Sequence, residues 1–209
     1  MTHFVLLIII PRSIFIQGNS AINEYINNTM NQYSENTLIE PYIVLTKEQL
    51  QQEFNKFNKK YSADTFANII EYAHDNGYEL DNNGNALSTS NTNSCYDWFN
   101  VGARWDGQIL SRTTPQSSDG CFNFGNKHYT IENNSCSIKD FITQYESNKE
   151  KISYDHIIDK HGKLHKQVTV GWFGSFDKQM DDAEWENVYE QVLHDSYDDY
   201  IVNLDCYNF

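Results

Sequence analysis

The stretch Phe4-Val5-Leu6-Leu7-Ile8-Ile9-Ile10 decides the fold of this chain. A short, uninterrupted apolar run that is rich in β-branched side chains is typical of a strand buried on both faces. The run is too short to span a bilayer, and no Lys or Arg precedes it, so we interpret it neither as a membrane helix nor as a signal peptide. We therefore predict a central strand over residues 3–10.

A second strand closes the chain at Tyr200–Cys206, which reads YIVNLDC. Strands at both ends indicate that the termini meet in one sheet, and the chain between them carries several helix signals. We therefore predict a soluble α+β protein with a mainly antiparallel central sheet that includes the N- and C-terminal strands. About four helices should pack on this sheet. No long linker divides the sequence, so residues 1–209 are predicted to form a single domain.

Helix starts are marked by capping residues. Thr46 with Gln49 forms a capping box, and so does Ser137 with Asp140. Asp181 and Asp182 precede a clean amphipathic stripe, because acidic residues favour the start of a helix. The apolar positions that follow these three starts are Leu50, Phe54, Phe57 and Tyr61; Ile138, Phe141, Ile142 and Tyr145; and Trp185, Val188, Tyr189, Val192 and Leu193.

A further helix is predicted to begin at Ser62 and to end at Gly77, with Phe66, Ile69, Ile70 and Ala73 on its apolar face. Weaker amphipathic character runs through Ile22–Met30.

Turn residues separate the shorter strands. An Asn-Gly pair within Asp81–Asn85 predicts a tight turn. Asp159–Gly162 predicts a hairpin between strands over 152–158 and 164–173. A short strand is also expected near Lys127–Ile131.

Composition restricts the partners. The formal net charge is −14, so a broad nucleic-acid surface and binding to an anionic membrane are both unlikely on electrostatic grounds. The cysteines are Cys95, Cys121, Cys136 and Cys206, and no two form a C-x-x-C pair. We predict no metal and no cofactor, and reduced thiols in a cytoplasmic protein.

The densest block runs from Tyr96 to Gly107 and holds Asp97, Trp98, Arg104, Trp105 and Asp106. Arg104 stands out because the chain otherwise carries its positive charge mostly on Lys. An arginine among rings can bind a carboxylate or phosphate with two hydrogen bonds. It can equally form a buried structural pair with Asp97 or Asp106. Both interpretations stay open at this point.

A second block, Gly171–Gly174, places Trp172 beside Phe173 between glycines. Core packing and a platform for a planar ligand are both consistent with these rings. Weak candidates for catalysis are His165, Asp205 and Cys206, with His161 nearby, because an imidazole, a carboxylate and a thiol support nucleophilic chemistry when they meet. Phosphate-loop, dinucleotide, zinc-protease and serine-hydrolase motifs are absent from the sequence.

Taken together, these blocks resemble a family of uncharacterised proteins from bacteriophages, bacteria and large DNA viruses. The family phrase WDWYxIGGRWxG corresponds to Tyr96–Gly107, and GYxxDxxGN to Gly77–Asn85. The family stretch EPY…TKEEL is similar to residues 40–50, and GWFG is present at 171–174. The family ending VDCH corresponds to Leu204–Tyr207.

The match departs from the family at Ala103, Leu164 and Tyr207, where the family has Gly, Trp and His. Losing the final histidine weakens any catalytic role for Asp205 and Cys206. The resemblance implies one fold through all these boxes and a viral or mobile-element setting, and it supplies no activity.

Three functions follow as hypotheses, and whether the chain is an enzyme stays uncertain. The first is an accessory protein that binds a small anionic ligand or a host protein through Trp98, Arg104, Trp105 and Trp172. The second is a hydrolase or transferase that uses His165 and Asp205 near Arg104. The third is a structural virion component, which would expose a large apolar patch.

Overall fold

A computed structural model gives the structure of residues 2–61, 66–107, 109, 130–147, 154, 156–170 and 176–208. The chain divides into two compact units. One unit combines residues 1–34 with residues 95–209, and residues 35–94 form the other. The single-domain organisation expected from the sequence stays a prediction.

The described strands and helices follow one another with short connections. The strands are β1 (Thr2–Ile10), β2 (Tyr42–Leu45), β3 (Glu79–Leu80), β4 (Ala86–Ser88), β5 (Trp98–Val101), β6 (Ser135–Ser137), β7 (His156–Ile158), β8 (Leu164–Lys166), β9 (Val168–Val170), β10 (Phe176–Gln179) and β11 (Tyr200–Asn208). The α-helices are α1 (Arg12–Phe15), α2 (Asn19–Asn31), α3 (Lys47–Tyr61), α4 (Ile69–Asp75), α5 (Ile138–Ser147) and α6 (Asp182–Asp195).

The main sheet has the strand order β5-β11-β1-β7-β8, and β6 also pairs with β11. Strand β1 runs antiparallel to β11 from Thr2↔Asn208 to Ile10↔Tyr200, and parallel to β7. The other pairs in this sheet are antiparallel. The predicted α+β fold, with both terminal strands at the centre of a mainly antiparallel sheet, is therefore confirmed. In the described residues of the other unit, no helix and in the rest of the described chain no helix is long and apolar enough to cross a membrane.

Each face of β1 is buried by helices. Leu7 and Ile9 face α5 and α6, while Leu6, Ile8 and Ile10 face α2. Residues Leu6 to Ile10 are fully buried, because successive side chains of a strand point to opposite faces and both faces are covered here. Four described helices, including the short α1, thus pack on the main sheet.

The helix starts follow the predicted capping boxes. The Thr46 amide donates to Gln49 Oε1 at 2.8 Å, and the Gln49 amide donates to Thr46 Oγ1 at 3.3 Å. Ser137 Oγ accepts from the Asp140 amide at 3.1 Å. Asp181 accepts from the Glu184 amide at 2.8 Å and caps α6. These side chains satisfy backbone donors that a helix start leaves without intrahelical partners.

The 35–94 unit combines α3 and α4 with a three-stranded sheet of order β2-β4-β3. Its core holds Leu50, Tyr72, Ala73 and Ala86. The predicted start of α4 is wrong. The helix begins at Ile69, and Asn68 caps it by accepting from the amides of residues 70 and 71, so Phe66 precedes the helix.

Two details of α4 follow from this later start. Ile70 is exposed rather than part of the apolar face. Gly77 follows the helix with a φ of +74°, as predicted for its end. Ser62 lies outside the described residues.

The hairpin predicted at Asp159–Gly162 joins β7 to β8. The expected single strand over 164–173 is instead divided, because β8 ends at Lys166 and β9 pairs separately with β10. Ile131 lies in a turn, and the rest of the strand expected near Lys127–Ile131 is outside the described residues.

Candidate functional site

The chain between β5 and residue 107 folds back over one end of β11. The Gly102 amide donates to the Asn203 carbonyl at 3.0 Å, and Asn203 Nδ2 donates to the Trp105 carbonyl at 3.0 Å. The Arg104 amide donates to Asp205 Oδ2 at 3.3 Å. We call residues 102–107 the Arg104 turn. Asn203 and Asp205 are two residues apart and hold it from the same face of the sheet.

Sterics explain the glycine that begins this turn. Gly102 has a φ of +67°, and a Cβ on it would lie 2.3 Å from Asn134 Oδ1. A side chain at this position would therefore overlap a buried residue. Ala103 follows with a φ of +41°, which is unusual for a residue that carries a Cβ. The turn stores backbone strain at a position where the resembled family has glycine.

Asn134 fastens the far side of the Arg104 turn. It is fully buried, and its Oδ1 accepts from the Gly107 amide at 3.1 Å. Its Nδ2 donates to Asp106 Oδ1 at 2.7 Å and to the Thr130 carbonyl at 2.9 Å. Asp106 therefore helps to anchor the turn to the 3₁₀ segment Glu132–Asn134.

Asp205 is the buried centre of the site. Its side chain has no exposure, and Oδ1 lies 3.1 Å from His3 Nδ1 while Oδ2 accepts from the Arg104 amide. Sequence reasoning missed His3. The usable signal was the pairing of the terminal strands, because the register that sets His3 against Tyr207 also sets it diagonally beside Asp205.

Aromatic rings continue the cluster toward solvent. The His3 and Tyr207 rings lie 4.1 Å apart at 61°, and the Tyr207 and Trp98 rings lie 4.7 Å apart at 45°. Trp98 is 47% exposed. Contacts thus run without interruption from exposed Trp98 through Tyr207, His3 and Asp205 to the Arg104 turn.

The Arg104 side chain is exposed, so the predicted buried pair of Arg104 with Asp97 or Asp106 is wrong. Asp106 bonds Asn134 instead, and the Asp97 amide donates to the Tyr207 carbonyl at 2.8 Å. Among the described residues no carboxylate lies within ion-pair distance of the Arg104 guanidinium.

Two buried polar atoms beneath the turn have no hydrogen-bond partner within the described part of the chain. They are Trp105 Nε1, which is a donor, and Asn203 Oδ1, which is an acceptor. Asn203 is only 2% exposed. Buried polar groups are nearly always satisfied, so such atoms call for an explanation, and a ligand is one.

The structure does not bring His165 to this site. Its Nε2 lies 2.9 Å from Asp159 Oδ2, and its strand β8 is separated from β11 by β7 and β1. Three strand spacings amount to about 14 Å. His161 contributes its amide to the same Asp159. These residues form the hairpin and not a shared centre with Asp205.

The remaining candidates differ in position. Cys206 is fully buried on the opposite face of β11 from Asp205, and burial raises the pKa of its thiol well above the ordinary value. Such a thiol is a poor nucleophile. Trp172 and the rest of Gly171–Gly174 lie outside the described residues. No group of metal-binding side chains occurs in the part of the chain that the structure describes.

An open cleft of about 650 Å³ lies in the 35–94 unit. Lys47 and His74 line it together with Glu79 and Asp81, so its charges are mixed. Asp81 is already engaged, because its Oδ1 accepts from the Asn83 and Asn85 amides at 2.8 Å each. The cleft carries no comparable set of unsatisfied or convergent groups.

Comparisons with protein-family models, with curated proteins and with solved structures each found no match. The resemblance to the viral and bacterial family stays a prediction.

Proposed function

We propose that this chain is a binding protein that holds a small anionic ligand at the Arg104 turn. The observation that carries the proposal is the position of Arg104, whose exposed side chain leaves a turn that is anchored from below on both sides. Asp205 and Asn203 hold one side and Asn134 holds the other. A guanidinium on an anchored backbone binds an anion with a smaller loss of conformational entropy than one on a free loop.

The acidic composition supports the same choice of site. With a formal net charge of −14, most of the chain repels anions. Arg104 is one of few arginines, and among the described residues no carboxylate neutralises it. A guanidinium matches a carboxylate or phosphate through two parallel hydrogen bonds.

The family resemblance extends the proposal to biology. An accessory protein of a virus or mobile element would meet such a ligand in the host cytoplasm. A host protein that presents a carboxylate or phosphate is the alternative occupant, and the test below separates it from a free anion.

Titration calorimetry of the full chain with inorganic phosphate, and separately with citrate, tests the proposal. Arg104→Gln should weaken the binding of whichever anion binds by about tenfold or more, since a hydrogen bond to a charged group contributes roughly 1.5–3 kcal/mol. Arg12→Gln is the matched control, because it removes the same charge at an exposed position elsewhere. Equal losses in both variants would show nonspecific attraction, and no binding in the unaltered chain would contradict the proposal.

An acid–base enzyme is the second candidate, with His3 in place of His165. A carboxylate that contacts Nδ1 orients an imidazole as it does in hydrolases. The His3 side chain is only 9% exposed, however, so a substrate would have to displace the rings around it. Binding therefore stands first, and hydrolysis of model esters that disappears in His3→Gln would reverse the order.

A further inference from the structure

The Trp98 indole offers a flat apolar surface next to the Arg104 turn. Nearly half of it is exposed, and Tyr207 supports it from the side at a ring distance of 4.7 Å. Tyr207 is supported in turn by His3, which Asp205 holds. An exposed tryptophan fixed by a chain of contacts is a stacking platform for planar ligands.

The platform and the arginine lie on the same face of the sheet. Trp98 pairs with Tyr207 in the register of β5 and β11, and the Arg104 amide contacts the side chain of Asp205. Tyr207 and Asp205 are two residues apart, so their side chains share a face and their Cα atoms are separated by about 7 Å. A ligand that reaches both groups must therefore hold a ring and an anion at about that separation or somewhat more.

The unsatisfied atoms lie under the same turn. Asn203 bonds the Trp105 carbonyl, so Asn203 Oδ1 and the Trp105 indole belong to residues in direct contact. One atom accepts and the other donates a hydrogen bond. A heterocycle presents donors and acceptors side by side on its edge, whereas inorganic phosphate at neutral pH is chiefly an acceptor.

We infer that the ligand of this site is a planar aromatic or heteroaromatic ring that carries a phosphate or carboxylate group. The ring stacks on Trp98, and the anion binds Arg104. This inference rests on the proposed anion site and adds the chemical class of the ligand. A nucleoside monophosphate is the natural probe, because a sugar separates its base from its phosphate.

Calorimetry with adenosine monophosphate, adenosine and inorganic phosphate separates the two contacts. The monophosphate should bind at least about tenfold more tightly than phosphate, in keeping with the strength of base–aromatic stacking. Trp98→Ala should reduce its affinity to that of phosphate, and Trp98→Phe should retain most of the gain. Arg104→Gln should weaken the monophosphate and phosphate but leave adenosine unchanged.

Tyr197→Ala is the matched control, since Tyr197 is 44% exposed and lies at the end of α6. Thermal unfolding of each variant identifies any loss of folding. Equal affinities for the monophosphate and phosphate, both lost in Arg104→Gln, would overturn the ring contact and leave the anion site standing. Monophosphate binding that ignores Arg104→Gln would overturn the anion site and this inference with it, as would the absence of binding by all three probes at millimolar concentration.

Discussion

Asp159 and Asp205 each sit beneath a turn, and each contacts a histidine ring and at least one backbone amide. Asp159 accepts from the His161 and Lys163 amides and pairs with His165. Asp205 contacts His3 and accepts from the Arg104 amide. The same residue types thus build two turns at different places in one sheet.

The two turns differ in how completely they are satisfied. The carbonyl of Gly162 accepts from Tyr33 at 2.6 Å and from Gln32 at 3.0 Å, so α2 ties down the hairpin turn. The Arg104 turn instead contains a strained Ala103, and buried atoms without partners lie under it. An aspartate–histidine contact therefore does not mark a functional site. Unused hydrogen-bonding capacity beside exposed Arg and Trp is the more telling feature.

The glycines of the two turns give the largest expected difference. Gly102→Ala should lower the free energy of unfolding by about 4 kcal/mol, because overpacking against Asn134 adds to strain at positive φ. Gly162→Ala should cost about 1–2 kcal/mol, since its Cβ would meet only the end of Gln32 at 3.4 Å. Urea unfolding of both variants measures the contrast. Similar losses would mean that the close packing beneath Gly102 is not special.

A third histidine shows what a missing carboxylate does. His156 lies on the opposite face of the sheet from His165, its ring is 4.5 Å from Phe4, and within the described chain its Nδ1 has no hydrogen-bond partner. Burial, together with the charge of Lys166, lowers its pKa from 6.5 to about 4. The unfolded chain therefore takes up the proton first as the pH falls.

The free energy of unfolding should consequently decrease between pH 6.5 and pH 4, by at most about 3 kcal/mol from this residue. His156→Leu should remove that part of the decrease. The measurement is the difference between the two pH profiles from chemical unfolding, with His194→Leu as an exposed control. Parallel profiles for the chain and for His156→Leu would refute the assignment.

Asp159 reports on the well-satisfied turn in acid. Burial acts to raise its pKa, but hydrogen bonds from His165 and from the Lys163 and His161 amides outweigh burial and hold the pKa below 3.8. Its stabilising contribution is therefore present above pH 3.8 and is lost as the pH falls through the lower folded value.

Asp159→Asn should cost about 1–2 kcal/mol at neutral pH and make the acid limb of the stability profile shallower. His165→Gln should reproduce part of this change, because it removes one of the bonds that lower the pKa of Asp159. Chemical unfolding from pH 2 to pH 7 follows both. An unchanged acid limb in Asp159→Asn would show that the hairpin turn does not depend on this carboxylate.

Sequence patterns predicted most of the fold because local signals and tertiary structure agree. The apolar run at 4–10, the capping boxes and the stripe after Asp181 each act within a few residues. The start of α4 was missed because Asn68 competes with Ser62 as a cap, and sequence alone does not rank two good caps.

The candidate site was predicted less well. Trp98, Arg104 and Asp205 were identified, but His165 was chosen as the histidine partner of Asp205 in place of His3. Which histidine meets a carboxylate more than 200 residues away depends on the register of two terminal strands, and periodicity does not specify register.

The smallest expected effect tests whether strain in the Arg104 turn serves binding. Ala103→Gly should raise the free energy of unfolding by about 1 kcal/mol, because glycine accepts a φ of +41° at little cost, although its greater freedom in the unfolded chain offsets part of the gain. The resembled family has glycine here, so the change should be tolerated. If Ala103 also stiffens the turn, the glycine variant should bind anions several-fold less tightly while being more stable. A stabler variant with unchanged affinity would show that the strain is incidental, and the anchoring by Asp205 and Asn134 would then be sufficient to hold Arg104 in place.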